Sequence, residues 1–228
     1  MRRERQFTAD ASHEMRTPLT SLRGTLEVLI RKPRTAQEYE EKIQYGLCEI
    51  DRMSRILEQL LFLARMDAGQ NPRTGDLVLL NPLLKQVLQR YKEEMSLKQL
   101  GLSFQDEQQE QLAVPEYYAN LIFDNVISNA IKYSQKGSEI HIRLWNEGGK
   151  LYCSVRDEGI GIKEEDLENV FNPFYRAAAL EYKEIKGNGL GLSIVKKAAE
   201  SIGAEVKIKS KWQKGTELIV IFSGKNKV

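Results

Sequence analysis

Apolar and small residues in the first third of the chain recur at alternating steps of four and three, the spacing of a helix face that packs in a bundle. One stripe covers residues 11–29 and predicts a helix from about residue 8 to 32. Pro33 and the RTAQ segment after it interrupt the pattern, and a second stripe covers residues 43–64. The pattern therefore predicts two antiparallel helices joined by a short turn.

Each predicted helix carries more apolar surface than a single partner helix can bury. A lone hairpin of this length would leave part of both stripes in water, whereas two copies of it could cover them as a four-helix bundle. We therefore expect the chain to form a homodimer through this hairpin.

Helical periodicity stops in the segment DAGQNPRTGD, residues 67–76, which collects Gly, Pro, Asn and Asp. Such a composition is typical of a linker between domains. We therefore predict a first domain over residues 1–68, a linker over 69–76 and a second domain over 77–228.

Helix and strand patterns alternate in the second domain. Asn81 and Pro82 are typical of a helix N-cap and first turn, and a further helix is predicted over about 115–133 after short strands near 102–104 and 111–114. The patterns that follow are a hairpin, a helix and a second hairpin: EIHIRLW with LYCSVRD, GLGLSIVKKAAESIG, and AEVKIKS with TELIVIF. The predicted fold class is therefore multidomain, an all-α hairpin forming a dimeric four-helix bundle followed by an α+β sandwich.

Composition and charge narrow the function classes. The 34 Lys and Arg residues nearly balance 32 Asp and Glu residues, so nothing in the bulk charge points to nucleic acid. No apolar run reaches the ~18 to 20 residues that cross a bilayer, and the N-terminus lacks the apolar middle of a signal peptide. Two cysteines, Cys48 and Cys153, are too few for a disulfide framework or a cysteine metal site, and we expect both to be small buried residues.

His13 lies on the first predicted helix, about 200° around its axis from Ala11 and about 180° from Leu22. These angles direct the imidazole to solvent while the stripe faces the bundle. Glu14 is its neighbour in sequence, and Thr17 lies one turn along on the same side. A surface histidine without a function would show the same pattern, so the surrounding motif has to decide.

Four polar residues share one face of the predicted helix over 115–133. Asn125 and Asn129 are four residues apart, and Lys132 and Tyr133 lie one turn further. Carboxamides, an ammonium and a phenol on one side suit a magnesium-bound triphosphate, and a polar helix face without a ligand is the alternative.

Glycines surround two further candidate positions. In DEGIGI, Gly159 and Gly161 let the backbone approach a flat ligand, and the Asp157 carboxylate can accept a hydrogen bond from an exocyclic amine. Three more glycines precede or open the next predicted helix: Gly187, Gly189 and Gly191. Free amides and the positive dipole end of that helix suit phosphate groups, although each glycine cluster alone also fits an ordinary turn.

The segment HEMRTPL, which contains His13, resembles the phosphoacceptor box of bacterial sensor histidine kinases, usually HE, an apolar residue and RTPL. Further motifs follow in the order of that family: NVISNAIKYS resembles its asparagine box, DEGIGI its first glycine box, VFNPFYR its F box and GNGLGLSIV its second glycine box. The resemblance covers nearly the whole chain. It implies a dimerisation and histidine-phosphotransfer hairpin joined to an ATP-binding domain of the Bergerat type.

The resemblance also implies roles on the hairpin. Neutral His13 would be the nucleophile through Nε2, and Glu14 would accept the Nδ1 proton and orient the ring. Thr17 would position a water for the reverse, phosphatase activity.

In the second domain the resemblance assigns Mg²⁺ to Asn125, phosphate contacts to Asn129, Lys132 and Tyr133, and the adenine amino group to Asp157. Residues 177–186 would form a mobile lid over the ATP. The other implied nucleotide contacts are Gly159, Gly161, Arg176 at the γ-phosphate, Gly187, Gly189, Leu190, Gly191, Leu192 and Thr216. The final box departs from the family pattern, because Gln213 stands where the family often has Gly two residues before Gly-Thr.

The implied reaction transfers a phosphoryl group from MgATP to His13 and then to an Asp of a response-regulator receiver domain. The implied partners are a second copy and that receiver domain, without nucleic acid, and with a membrane only through an upstream region. The chain would then be the cytoplasmic part of an inner-membrane receptor. Two alternatives stay open: an ATPase of the gyrase, MutL and chaperone group, and a pseudokinase that acts as a dimeric interaction module.

Overall fold

The chain divides into two compact units, residues 1–69 and 70–228. The computed structural model describes residues 2–70, 76–177, 182, 185 and 187–223, with side chains from residue 6 onward. Most of the predicted linker, residues 71–75, lies outside the described residues, so its bounds stay a prediction.

The first unit contains helices α1 (Arg2–Ile30) and α2 (Ala36–Asp67). The helices of the second unit are α3 (Leu80–Arg90), α4 (Lys92–Leu97), α5 (Glu116–Tyr133) and α6 (Gly191–Ser201). Its strands are β1 (Leu77–Leu79), β2 (Gly101–Glu107), β3 (Ala113–Pro115), β4 (Glu139–Glu147), β5 (Lys150–Asp157), β6 (Glu205–Lys211) and β7 (Gly215–Ser223). None of the helices in the described part of the chain is long and apolar enough to cross a membrane.

The predicted helical hairpin is confirmed, and a capping box starts its second helix. The Thr35 hydroxyl accepts a hydrogen bond from the Glu38 amide at 3.2 Å, and the Glu38 carboxylate accepts one from the Thr35 amide at 2.9 Å. These two bonds satisfy backbone donors that would otherwise be unpaired at a helix N-terminus. Midway along the hairpin, the hydroxyls of Ser21 and Tyr45 meet at 2.8 Å and join α1 to α2.

Helix α2 leaves its predicted apolar stripe exposed in the single chain. The residues that α2 buries are Gly46, Glu49, Ile56, Phe62 and Leu63. The predicted stripe residues of α2 are each between 44% and 53% exposed: Ile43, Leu47, Ile50, Leu57 and Leu61. Helix α2 therefore has two neighbouring apolar faces, and in the described part of the chain only one of them is covered.

The second unit is built on a five-stranded sheet in the order β2-β4-β5-β7-β6, in which β2 runs parallel to β4 and the other pairs are antiparallel. Alternate residues of the central strands are buried, among them Ile142 on β4 and Cys153 on β5. Helices α5 and α6 pack on each other and against strands of this sheet. The predicted α+β sandwich is thus confirmed.

Two local predictions are wrong. Helix α3 begins at Leu80 without a side-chain cap, and the Asn81 amide instead donates a hydrogen bond to the Asp106 carboxylate, so it cannot cap the helix. Cys48 is exposed because it lies off the covered face of α2, whereas Cys153 is buried as expected.

Candidate functional site

His13 is exposed on α1, five residues before the buried Pro18. Pro18 has no amide hydrogen, so it cannot donate the helical bond to the Glu14 carbonyl. The Thr17 hydroxyl donates to the His13 carbonyl at 3.3 Å. No hydrogen bond joins Glu14 to the imidazole in the described part of the chain. The imidazole of His13 is therefore accessible, and the Thr17 side chain contacts the His13 backbone. A hydrogen bond between the Glu14 carboxylate and the imidazole stays a prediction.

Helix α5 places its four predicted residues, Asn125, Asn129, Lys132 and Tyr133, in half-buried positions. The Asn125 Nδ2 donates to the Leu121 carbonyl at 2.7 Å. This bond occupies the amide nitrogen of Asn125 and leaves its Oδ1 available to a ligand.

Two glycines allow the start of α6 to approach this face of α5. A Cβ atom at Gly191 would lie 3.0 Å from the Asn125 Oδ1 and 3.5 Å from the Asn129 Nδ2. A Cβ atom at Gly187 would lie 2.5 Å from the Lys132 Nζ. The absence of these side chains lets the amide groups of Asn125 and Asn129, the Lys132 ammonium and the N-terminus of α6 lie close together, and this arrangement is called the cradle below.

The N-terminus of α6 has amides available for an anion. Its N-cap residue, Leu190, is fully buried, and no side chain caps the helix. Leu192 is half-buried in the first turn. The Leu190 amide donates to the Asn188 Oδ1 at 3.2 Å, and among the described residues no side chain caps the first turn of α6. The amides of that turn and the positive end of the helix dipole therefore lie beside the carboxamides of α5, an environment that suits phosphate groups.

The backbone of the loop before α6 is fixed by a close approach of two predicted motifs. The Phe174 amide donates to the Gly189 carbonyl at 3.0 Å. Gly189 has a φ of 71°, and a Cβ atom there would lie 2.6 Å from the Phe174 carbonyl carbon. Only glycine satisfies both the left-handed backbone and this contact.

Asp157 lies at the end of β5 and is 7% exposed. Its Oδ1 accepts hydrogen bonds from the Gly159 amide at 2.9 Å and the Thr216 amide at 3.2 Å. Burial raises the pKa of Asp157 to about 6, because a charged carboxylate is disfavoured away from water, and the two amides only partly offset this rise. Among the described residues, no other residue donates a hydrogen bond to Oδ2, so it can accept from a ligand.

Three glycines let the backbone close around Asp157. A Cβ atom would lie 2.2 Å from the Tyr133 carbonyl oxygen at Gly159, 2.1 Å from a β6 carbonyl oxygen at Gly161, and 1.9 Å from the Asp157 carbonyl oxygen at Gly215. No larger residue fits at these positions without a backbone shift. The glycines therefore allow close backbone packing beside Asp157, and a ligand contact of Gly159 and Gly161 stays a prediction.

Arg176 is half-buried, and its Nη2 donates to the Ile185 carbonyl at 2.6 Å. Its positive charge lowers the pKa of Tyr133, although burial has the larger effect and raises that pKa overall. The arginine therefore lies near the phenol at the end of α5. Of the predicted lid, the segments 178–181, 183–184 and residue 186 lie outside the described residues.

Lys98 lies in this region although it belongs to none of the sequence motifs. The Lys98 Nζ donates to the Ile131 carbonyl at 2.7 Å and to the Lys132 carbonyl at 2.8 Å, and no sequence motif indicates this contact. Gln213 has a φ of 59°, the left-handed backbone that favours glycine. This conformation explains in physical terms why glycine suits that position of the final box.

The chain matches two family profiles. Residues 3–69 match the His Kinase A (phospho-acceptor) domain, and residues 118–225 match the histidine kinase-, DNA gyrase B- and HSP90-like ATPase family. The signal transduction histidine-protein kinase ArlS of Staphylococcus aureus is 33% identical over 229 residues, which cover 96% of this chain and 49% of ArlS. The chain thus spans about half the length of the curated relatives that it matches.

Two solved structures share the fold. The histidine kinase AdeS of Acinetobacter baumannii has a TM-score of 0.75 at 22% identity and covers 94% of this chain and 98% of its own. The histidine kinase ThkA, solved in complex with the response regulator protein TrrA, has a TM-score of 0.70 at 20% identity and covers 97% of this chain and 64% of its own. The two family profiles and the similarity to ArlS confirm the predicted histidine kinase core, and the chain belongs to the sensor histidine kinase family, with a phosphoacceptor hairpin followed by an ATPase-type domain.

Proposed function

We propose that this chain transfers the γ-phosphoryl group of ATP to His13 and then to an aspartate of a response-regulator receiver domain. The observation that carries the proposal is the cradle between α5 and α6, in which Asn125, Asn129 and Lys132 face a glycine-opened helix N-terminus. The other unit of the same chain exposes a histidine on a helix. One unit therefore supplies the phosphoryl donor site and the other supplies the acceptor.

The adenine site is assigned to Asp157 and its glycines. The exocyclic amine of adenine would donate to Oδ2, while Oδ1 stays on the amides of Gly159 and Thr216. Guanine carries a carbonyl at the corresponding position and would present an acceptor to this carboxylate. Because an unpaired buried polar group costs about 1–3 kcal/mol, the site should prefer ATP to GTP.

The triphosphate is assigned to the cradle. Amides at the N-terminus of α6 would bind its oxygens, with the Lys132 ammonium and the Tyr133 phenol as further donors. Arg176 is assigned to the γ-phosphate and would first have to leave the Ile185 carbonyl. The loop of Gly187, Gly189 and Leu190 would position these donors through its backbone, and Leu192 would support the first turn.

The cradle also fits a magnesium ion. The described residues hold no cluster of three histidine, cysteine or acidic side chains that could bind a metal. The Asn125 Oδ1 is a neutral oxygen that faces the cradle, and Mg²⁺ is commonly held by one or two protein oxygens together with phosphates and water. When bound, the ion would neutralise charge on the phosphates.

At the acceptor, neutral Nε2 of His13 would attack the γ-phosphorus as the bond to the ADP oxygen breaks. The Nδ1 proton would pass to Glu14, so that the phosphorylated ring stays uncharged. An imidazolium has no free lone pair for this attack. Because His13 and the cradle belong to different units, the reaction would require a step that brings the imidazole to the γ-phosphate.

The same proposal assigns the regulator site to the first domain, residues 1–68. The support is the phospho-acceptor family match and the solved complex of the ThkA kinase with a response regulator. Thr17 would position a water for dephosphorylation of the regulator.

The chain would belong to the cytoplasmic side of a larger inner-membrane receptor.

We also propose that two copies pair through the exposed stripe of α2. Leu47 and Ile50 are 49% and 44% exposed in a single chain, and burying the remaining half of such side chains contributes roughly 0.7–1.5 kcal/mol each. Leu47→Glu should therefore shift the chain from dimer to monomer in light scattering at micromolar concentration. Glu41→Ala, an exposed change on the same helix, should leave the dimer intact. A wild-type chain that stays monomeric would contradict the pairing.

Incubation with γ-labelled MgATP tests the kinase reaction. The chain has two histidines, so His141→Gln is a matched control for His13→Gln. The expected label is lost in acid, kept in alkali, absent in His13→Gln and unchanged in His141→Gln. ATP binding without any label would contradict the proposal and favour an ATPase or a pseudokinase, which the hydrolysis rate would distinguish.

A further inference from the structure

The C-terminal end of α5 has all of its carbonyl groups paired. The last four carbonyls of a helix have no partner within it. The Ala130 carbonyl accepts from the Ser134 amide at 3.0 Å, and the Tyr133 carbonyl accepts from the Ile160 amide at 3.2 Å. The two carbonyls between them are left for a donor from elsewhere in the unit.

Lys98 is that donor. Its Nζ lies 2.7 Å from the Ile131 carbonyl oxygen and 2.8 Å from the Lys132 carbonyl oxygen. A positive charge at a helix C-terminus also interacts favourably with the helix dipole. One side chain therefore completes the end of the helix that carries the nucleotide-facing residues.

The backbone holds Lys98 in place for this contact. Its amide donates to the Glu94 carbonyl at 3.1 Å at the end of α4, and its own carbonyl accepts from the Gly137 amide at 3.1 Å. The side chain is half-buried, and this burial lowers the pKa of its ammonium. The ammonium thus points at the end of α5 from a segment that is tied on both sides.

The turn that Lys98 closes carries two of the residues assigned to the phosphates. Lys132 contributes one of the two acceptor carbonyls, and its Nζ lies beside Gly187 in the cradle. Tyr133 follows directly, with its carbonyl bonded to the glycine box. Asp157, which is assigned to adenine, lies on β5 and has no contact with Lys98 in the described part of the chain.

We propose that Lys98 is a positioning residue for the nucleotide phosphates, because it fixes the last turn of α5 and through it Lys132 and Tyr133. This inference rests on the proposed ATP site. It predicts that loss of the ammonium weakens binding of the triphosphate and leaves recognition of adenine intact.

The test compares ATP and adenosine on the full chain, by competition with a fluorescent ADP analogue. Lys98→Met should raise the Kd for ATP about tenfold, because the free energy lost in positioning the phosphate-binding residues should be comparable to that of one charge-assisted hydrogen bond. The same change should alter the Kd for adenosine less than twofold. Lys98→Arg keeps a cation that can reach both carbonyls and should restore most of the ATP affinity. Lys92→Met removes an exposed lysine at the start of α4 and should change neither Kd.

Equal weakening of ATP and adenosine binding by Lys98→Met would overturn the inference, since it would show a general structural role. Unchanged ATP binding would overturn it as well. If Lys98→Met does not fold, Lys98→Gln retains one donor and should show a smaller loss that is still confined to ATP. A wild-type chain that binds adenosine but gains nothing from the triphosphate would refute the proposed function itself.

Discussion

Replacement of Asp157 by Asn tests how burial acts on the adenine-site carboxylate. Burial raises the pKa of Asp157 from 3.8 to about 6. An acid with a higher pKa in the folded state binds its proton more tightly there, so the free energy of unfolding falls as pH rises from about 4 to about 6 and is level above that. The shift corresponds to ~3 kcal/mol of instability at neutral pH, of which roughly 1.4 kcal/mol develops between pH 5 and 7.5.

Urea unfolding at several pH values measures this quantity. Both tryptophans, Trp145 and Trp212, lie in the second unit, so their fluorescence follows the relevant transition. Asp157→Asn removes the charge and keeps an oxygen for the two amides, so its stability relative to wild type should rise by about 1.4 kcal/mol from pH 5 to 7.5. Asp76→Asn, a change at an exposed carboxyl, is the matched control and should show no such trend. A stability difference for Asp157→Asn that does not change with pH would refute the role of burial.

The same carboxylate links pH to ligand binding. Adenosine is the better probe here, because it carries no phosphate that titrates in this range. If its amine binds the ionised carboxylate, its affinity should fall about tenfold between pH 7 and pH 5, where most Asp157 is protonated. Asp157→Asn should bind adenosine weakly at every pH, since its Nδ2 would face the amine donor. If the wild type binds adenosine equally well at both pH values, Asp157 does not contact the amine.

Three further substitutions test the backbone and the hairpin. Gly161→Ala places a Cβ atom 2.1 Å from a β6 carbonyl oxygen and should lower the free energy of unfolding, measured in urea, by more than ~3 kcal/mol. Gly203 has a similar φ but open space around its Cβ position, so Gly203→Ala should lower it by about 1 kcal/mol. Equal losses would contradict the steric explanation. Gln213→Gly relieves a φ of 59° and should raise the free energy of unfolding by roughly 0.5 kcal/mol, and a loss would argue against strain there. Thr17→Ala should spare autophosphorylation and slow regulator dephosphorylation in a labelled time course, and equal loss of both activities would refute its assigned role.

The residues that form the cradle could be predicted from the sequence, because the spacing of residues on a helix and the glycines that mark its start are local signals. Asn125 and Asn129 share a face through their separation of four residues alone. Gly191 marks the start of the next helix in the same way. The contact between these residues depends on how α5 and α6 pack, and the family motifs supplied that information in advance.

The apolar stripe of α2 shows a limit of periodicity. Spacing identifies an apolar face, but it does not tell whether the face packs within one chain or between two. The stripe through Leu47 is the uncovered face, while Ile56 on the neighbouring face forms the contact within the hairpin. The capping box of Thr35 and Glu38, by contrast, is visible in the segment TAQE and could have located the start of α2.

Long-range contacts explain the remaining misses. Asn81 has the side chain of a helix cap, but Asp106 on β2 binds its amide instead. Lys98 bonds to carbonyls more than 30 residues away, so its neighbours in sequence carry no trace of the role. The pKa of Asp157 likewise depends on burial that the assembled unit creates.

The location of the transferred phosphoryl group tests the central claim most directly. The chain is incubated with MgATP, digested under alkaline conditions and examined by mass spectrometry for the peptide that contains His13, with His141→Gln as the control for the other histidine. We predict phosphohistidine at His13 in the wild type and in the control. Phosphate on any other residue, or an unmodified His13 in a chain that binds and consumes ATP, would contradict the account.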